Sequence, residues 1–440
     1  MKSLVAIWLM FVCFSAIAQQ SFSIHGTVKT ESGETIAGAT VFITNSKHMV
    51  ATDGEGKFSF DGLQPGSYEV AIKMLGFEPF IQDVTIHDKS INLLAKLTES
   101  VTALNTVNIT ATRNKLSLTD RVNYLLMFTN QFIGQTVNAE KCKLLNPEVL
   151  HYEFKNRVLK VWADDFLIIE NNALGYRIKY LLTNFQLDFK EDICTYDGHP
   201  FFEELKGSAS QQQKWDENRR VAYLSSDRHF FKAFANNRLK EEGFIVYAVT
   251  DLVVCNTDWK YKGYSIGAPN MQNTVNAFLN SNDPGRANAI FSTYKDPNPK
   301  KRLQTAFPLA DAYSLFITDK DGRKMITSTP KIIGKEPGEI DTIGLKEFYI
   351  VYTGQTESPL FYKTGVPQEL FKFVDLTKKQ TLHRQISRIM PLADTLTIDT
   401  YGIVMPRKSF RYANYMSWLR LADLTPFEYV AEENTDSNLK

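Results

Sequence analysis

Residues 22–43 read FSIHGTVKTESGETIAGATVFI and residues 57–72 read KFSFDGLQPGSYEVAI. In the first stretch Phe22, Ile24 and Val28 alternate with polar residues, and Ile36, Val41 and Ile43 follow beyond Gly33. In the second, Phe58 and Phe60 precede Gly62 and Pro65-Gly66, after which Tyr68, Val70 and Ile72 resume the alternation. Val84 with Ile86, then Ile91 with Leu93, continue it after Gly76. A period of two places alternate side chains on one face of a sheet, and turn residues at intervals of about ten positions leave room only for short strands. Gly33, Gly54, Gly56, Gly62, Gly66 and Gly76, with Pro65, supply the positive or preset φ that tight turns require. The spacing predicts an antiparallel β-sandwich of about seven strands over residues 19–97.

Around this module the chain is 440 residues long, enough for two or three domains at about 150 residues each. Lys and Arg total 50 against 49 Asp and Glu, so a net charge of +1 supplies no basic field for nucleic acid or an anionic membrane. The 43% hydrophobic content with 30 Phe and 19 Tyr favours a β-rich, aromatic core and excludes disorder for most of the chain.

At the start, Lys2 precedes an apolar run from Leu4 to Ile17 that ends in Ala16-Ile17-Ala18. This is the pattern of a secretory signal peptide over residues 1–18, with cleavage after Ala18. The run falls short of the ~20 apolar residues of a membrane-spanning helix, and no later stretch reaches that length. The expected address is therefore across the inner membrane, in the periplasm or associated with the outer membrane. Cys13 lies inside the apolar run after Val12, where lipid attachment would require a small residue. Cys142, Cys194 and Cys255 then permit one disulfide from three pairings plus a free thiol, or three buried thiols. None lies in a C-x-x-C pair, so no zinc site is expected.

Five ordered segments, Ile24-His25-Gly26-Thr27-Val28, Ile36-Ala37-Gly38-Ala39-Thr40-Val41, Thr52-Asp53-Gly54-Glu55-Gly56-Lys57-Phe58, Leu63-Gln64-Pro65-Gly66-Ser67-Tyr68 and Leu75-Gly76-Phe77, resemble the carboxypeptidase regulatory-like domain. The resemblance covers about 75 residues and implies a transthyretin-like sandwich that binds or scaffolds and carries no catalytic residues of its own. Asp53 and Glu55 lie on its glycine-rich turn without the carboxylate order of a calcium loop, so they read as turn residues. Leu104 to Arg113 resembles the TonB box that follows this sandwich in outer-membrane receptors, and also fits a last strand or linker within residues 98–119. The length that remains is too short for a plug and a 22-stranded transporter barrel at ~10 residues per strand.

Residues 120–430 read as a second, mixed α/β domain that is mostly β. A hairpin is expected from Tyr152 to Ala163, turning at Lys155-Asn156-Arg157, with strands at Phe166–Ile169 and Ile178–Phe185. From Ser208 to Glu242 the period changes: Trp215, Arg219 and Tyr223 recur at helical spacing, and Phe230, Phe234 and Leu239 follow a cap at Ser225 or Ser226. Two linked helices are expected, the second ended by Gly243, before a strand from Phe244 to Val249. Asp251 to Pro308 reads as a long polar loop or lobe. A hairpin around Asp319-Lys320-Asp321-Gly322, strands at Phe348–Tyr352, Thr395–Asp399 and Ile403–Met405, and a frayed tail at 431–440 complete the chain. Asn146-Pro147-Glu148, Ile168-Ile169-Glu170-Asn171, Leu174-Gly175-Tyr176, Phe202-Glu203-Glu204-Leu205-Lys206-Gly207, Arg228-His229-Phe230 and Arg420-Leu421-Ala422-Asp423-Leu424 resemble the C-terminal half of Bacteroidota proteins that carry this regulatory-like domain. No activity follows from that likeness.

For chemistry, none of the seven His has a Glu three residues later, so the metallocarboxypeptidase zinc motif is missing. Serine nucleophile elbows, phosphate loops and dinucleotide fingerprints are missing too. The sharpest constellation is Trp215, Arg219, Arg220, Tyr223, Arg228 and His229 on the paired helices, where Arg forks beside aromatic faces suit a carboxylate, phosphate or sugar acid. The competing reading has the aromatics packed on the sheet and the arginines paired with Glu203, Glu204 or Asp216. Glu170 and Glu203 are a candidate carboxylate pair. The expectation is a non-catalytic envelope protein without cofactor or metal that binds a protein, peptide or glycan. A hydrolase using Glu170, Glu203 or His229, and a TonB-linked uptake accessory, are the alternatives.

Overall fold

The computed structural model describes residues 21–100, 116–224, 226–254, 260–261, 264–265, 303–308, 317–318, 323–327, 340–365 and 384–431. The expected signal peptide with Cys13, the Leu104–Arg113 segment, Cys255, the expected turn at Asp319–Gly322, most of the 251–308 stretch and the tail from Glu432 lie outside them. The chain forms two compact units, one holding the strands up to Leu97 and one holding the elements from Leu118 onward.

In the first unit β1 (Phe22–Thr30), β2 (Thr40–Ile43), β3 (Met49–Ala51), β4 (Lys57–Leu63), β5 (Gly66–Lys73), β6 (Phe80–Ile86) and β7 (Ile91–Leu97) form two sheets, ordered β4-β1-β7 and β3-β2-β5-β6. The seven-stranded sandwich is therefore present. Its alternation follows the sequence, since Phe22, Ile24 and Val28 on β1 are buried, as are Phe58 and Phe60 on β4. Fully burying side chains such as Ile24, Val28, Val41 and Ile72 contributes roughly 1.5–3 kcal/mol each. One expectation is corrected: β1 pairs with β7 in parallel, Ile24 opposite Ile91 through Thr30 opposite Leu97, because the chain crosses over rather than returning by a hairpin. Gly26 permits this pairing, as a Cβ there would meet the Leu93 carbonyl oxygen at 2.1 Å and the Phe58 ring at 2.9 Å. Asp53 is a turn residue, its Oδ1 accepting from the Glu55 and Lys57 amides at 2.9 and 2.8 Å.

The second unit opens with helix α1 (Leu118–Phe132), which the sequence reading did not expect. Ser117 caps it by accepting from the Asp120 amide at 3.0 Å, and its inner face inserts Phe128 and Phe132 against Phe185, Tyr180 and Tyr196. That sheet contains β8 (Cys142–Leu144), β9 (Leu150–Lys155), β10 (Val158–Ala163), β11 (Leu167–Asn171), β12 (Tyr176–Asp188) and β13 (Ile193–Glu204). Its order is β8-β11-β12-β10-β9, with β13 also on β12. The expected β9–β10 hairpin turns on two residues, Asn156 and Arg157, with φ of 54° and 63°, which matches the twist of the flanking strands.

Helices α2 (Ala209–Tyr223) and α3 (Asp227–Ala235) are the two expected, and Ser226 is the second cap, accepting from the His229 amide at 3.1 Å. Gly243 does not end α3. The helix stops at Ala235, and turns carry the chain through a buried Leu239 to Gly243. The strand Phe244–Val254 pairs with Leu303–Pro308 and with Ile340–Thr356, so both ends of the supposed 251–308 loop are strands. Arg384–Pro391 and Phe410–Asn414 complete that sheet. A second sheet orders Ile317–Thr318, Lys324–Thr327, Thr395–Ile398 and Val404–Met405. Phe230 and Phe234 of α3 pack on Phe348, and Phe231 stacks on Phe410, closing a core with Ile389, Leu396 and Ile398.

Candidate functional site

Helix α2 begins with a capping box: the Ser208 amide donates to Gln211 Oε1 at 2.8 Å and Ser208 Oγ accepts from the Gln211 amide. The cap orients one helix face toward the turn between β11 and β12. From that face Trp215 Nε1 donates to the Asn172 carbonyl at 3.0 Å, Asn218 Nδ2 to Ala173 at 2.7 Å, and Arg219 Nε to Leu174 at 2.7 Å. Arg219 Nη2 reaches the Gly175 carbonyl at 3.4 Å and Nη1 meets Asp216 at 3.1 Å, while the guanidinium carbon lies 4.1 Å from the centre of the Tyr176 ring. Four successive carbonyls of one tight turn are thus satisfied by side chains of one helix. Gly175, at φ +71°, fits because a Cβ would lie 2.2 Å from the Trp215 ring.

On α3, Arg228 binds a different segment. Its Nη1 donates to the Pro426 carbonyl at 2.7 Å and its Nη2 to Tyr429 at 2.8 Å and to Phe427. His229 is buried among the rings of Tyr223, Phe244 and Tyr352 at 5.1, 4.7 and 5.7 Å, with Nε2 3.2 Å from Glu242 Oε2. Burial holds the imidazole below its ordinary pKa, opposed by the Glu242 carboxylate. Arg220 is half-buried, and its charge opposes the burial that pushes the Tyr352 hydroxyl up to about 12. Tyr223 is buried beneath the Arg228 guanidinium, 5.3 Å from its ring centre.

Glu170 and Glu203 are separated by a strand: Glu170 stands opposite Arg177, and Arg177 opposite Glu203. At ~4.8 Å per strand the two positions are roughly 10 Å apart. Glu170 pairs with Arg177 at 3.2 Å and Glu203 with Lys179 at 2.7 Å, so each carboxylate has its own cationic partner and the two do not face one another. The expected arginine pairs with Glu203 and Glu204 give way to backbone carbonyls, with Asp216 the acid that Arg219 meets.

In the sequence Asp423 stands only as part of a terminal motif. It is 7% exposed and accepts from Thr136 Oγ1 at 2.9 Å and Asn138 Nδ2 at 2.8 Å, while the preceding Ala422 carbonyl accepts from Asn171 Nδ2 at 2.9 Å. Burial pushes the Asp423 carboxyl up to about 6 against these bonds. Cys142 and Cys194 are free thiols, pushed up by burial to about 12 and about 11. Among the described residues no group of three His, Cys, Asp or Glu side chains is placed to hold a metal, and no helix is long and apolar enough to cross a membrane.

Residues 23–98 match the family model of the carboxypeptidase regulatory-like domain. No curated protein matches the sequence. Among solved structures, similarity extends to a chlorocatechol 1,2-dioxygenase from Pseudomonas putida at 15% identity and TM-score 0.16, covering 18% of this chain and 61% of that one. A putative carbohydrate binding protein from Bacteroides uniformis aligns at 11% identity and TM-score 0.16, covering 41% and 78%. BcpA, the major pilin subunit of Bacillus cereus, aligns at 8% identity and TM-score 0.17, covering 90% and 68%. The chain spans about six-tenths of the dioxygenase, and overlaps at these scores carry no argument about what it does.

Proposed function

Taking residues 23–98 as a carboxypeptidase regulatory-like sandwich, we propose that the chain is a non-catalytic, secreted cell-envelope protein that binds or scaffolds a protein, peptide or glycan partner. The observation that carries this reading is the engagement of the candidate catalytic groups by the fold itself. Glu170 and Glu203 are held in cross-strand ion pairs, His229 is enclosed by three aromatic rings, and Arg219 and Arg228 bind backbone carbonyls. Groups fixed in this way stiffen a platform, whereas an acid–base pair must reach a substrate proton.

The proposed address is the periplasm or the outer membrane, reached through the signal sequence of residues 1–18, in a Bacteroidota envelope. The second unit is proposed to be the C-terminal domain that accompanies this sandwich there. In-cell crosslinking of the tagged protein, followed by mass spectrometry of what is attached, tests the reading. A reproducible envelope partner is expected, and recovery of the monomer alone would overturn it.

A further inference from the structure

Strand β10 buries Leu159 and Val161 in the core beneath α1, so Lys160 and Trp162 alternate onto the opposite face of the sheet. Trp162 is 38% exposed there, the aromatic side chain of a face that it shares with polar residues and, one row beyond them, with Val158 and the 36% exposed Ile193. It is also stacked. His151, directly across the strand pair, stacks on it at 5.6 Å with 21° between planes, and His151 Nε2 is bonded to Asp164. The indole N–H makes no hydrogen bond to another described residue.

Beside this ring a row runs across four strands in register: Glu153 opposite Lys160, Lys160 opposite Gln186, and Gln186 opposite Thr195. Among the described residues these four side chains form no hydrogen bond or ion pair. The face therefore presents one stacked aromatic ring and a line of uncommitted donors and acceptors, spaced ~4.8 Å apart.

We propose that this face binds a neutral glycan, with Trp162 as the platform for a sugar ring; the assignment rests on the binding-protein reading above and names its ligand class. A pyranose has an apolar C–H face and hydroxyls radiating in its plane. An aromatic ring takes the first, and coplanar amide, hydroxyl, carboxylate and ammonium groups take the second. A ring stacked on its cross-strand neighbour loses less conformational freedom on binding than an unstacked one. A protein partner would call for several large anchors at a desolvated centre, and here Trp162 is the one aromatic beside a polar row, with Val158 and Ile193 smaller aliphatic neighbours in the next row. An anionic polymer would call for excess positive charge, and in this row Lys160 is matched by Glu153.

Affinity electrophoresis of the full chain through gels containing laminarin, galactomannan, xyloglucan, hydroxyethylcellulose or dextran, with pectin as the anionic comparison, tests the assignment. At least one neutral polysaccharide is expected to retard the protein, Trp162→Ala to weaken retardation tenfold or more, and Trp162→Phe to retain most of it. Gln186→Ala and Lys160→Ala, which alter no core residue, are expected to weaken it about threefold and carry the test if Trp162→Ala loses its native circular dichroism. Retardation by none of the neutral polymers, by pectin alone, or equally in all variants would overturn the assignment. A crosslinked protein partner with no glycan retardation would sink this inference and leave the binding-protein reading standing. Retardation accompanied by cleavage of the polysaccharide would sink the non-catalytic reading and leave the glycan face standing.

Discussion

Replacing Arg219 by Met keeps a long aliphatic stem and removes the guanidinium, which is the most direct way to ask whether this side chain is a fastener of the fold. Arg219 is 6% exposed and donates at 2.7 Å to Leu174 and 3.4 Å to Gly175, over the Tyr176 ring at 4.1 Å. A charged donor to a buried carbonyl is worth ~1.5–3 kcal/mol, with the longer bond at the low end. The stacked cation adds about 2 kcal/mol when desolvated. The Asp216 pair adds about 0.5 kcal/mol or less, because that carboxylate faces solvent. Part of the total is offset, since Met carries no charge to desolvate, which leaves a net loss of about 3 kcal/mol. Arg220→Met, at the half-buried neighbouring position, is expected to cost less than about 1 kcal/mol. Urea unfolding of both variants, followed by circular dichroism and tryptophan fluorescence, measures the contrast. Equal midpoints for Arg219→Met and the parent protein would mean that the guanidinium does not fasten the fold and would return Arg219 to the candidate ligand-binding groups.

Asp423 has its folded pKa raised from 3.8 to about 6, so the folded state keeps a proton that the unfolded chain has released. Stability is expected to fall by about 3 kcal/mol as pH rises from about 4 to 6, because each tenfold difference in proton affinity between the two states is worth about 1.36 kcal/mol. Asp423→Asn should flatten that slope, and an unchanged slope would contradict the assignment. His229 behaves in the opposite sense, because its folded pKa is lowered. Its contribution is present above the unfolded value near 6.5 and is lost as pH falls below it, so an NMR titration should place the His229 midpoint below 6.5, and a midpoint above that would be inconsistent with burial. Gly26→Ala drives a Cβ to 2.1 Å from the Leu93 carbonyl and should cost the sandwich at least about 2 kcal/mol, read as a lowered melting temperature of that unit; full tolerance would mean that β1 and β7 are not so closely paired.

The sandwich was largely legible because its signal is local: alternation reports burial directly, and turn residues mark the strand ends. Two features escaped. Strand β3 is three residues long with little buried surface, and the parallel β1–β7 pairing depends on a crossover that periodicity does not encode. In the second unit, α1 was hidden because Leu118, Val122 and Leu126 are exposed, so its apolar residues do not fall on one buried face. Strand β13 was masked by Gly198 and Pro200, which read as breakers yet are tolerated toward a sheet edge. The helix-pair constellation was correctly placed on neighbouring helices. Its partners were invisible because they are main-chain carbonyls of residues 172–175 and 426–429, groups that every residue carries and no sequence pattern flags.

Binding without turnover can be read on the cell envelope itself. Isolated cell envelopes are titrated with the full chain, the bound fraction is quantified by sedimentation, and the material released on elution is compared by mass spectrometry with untreated envelope. Saturable binding with chemically unchanged eluate is the predicted result. Unsaturable binding, or envelope components released in covalently altered form, would mean that the protein is not a non-catalytic binder.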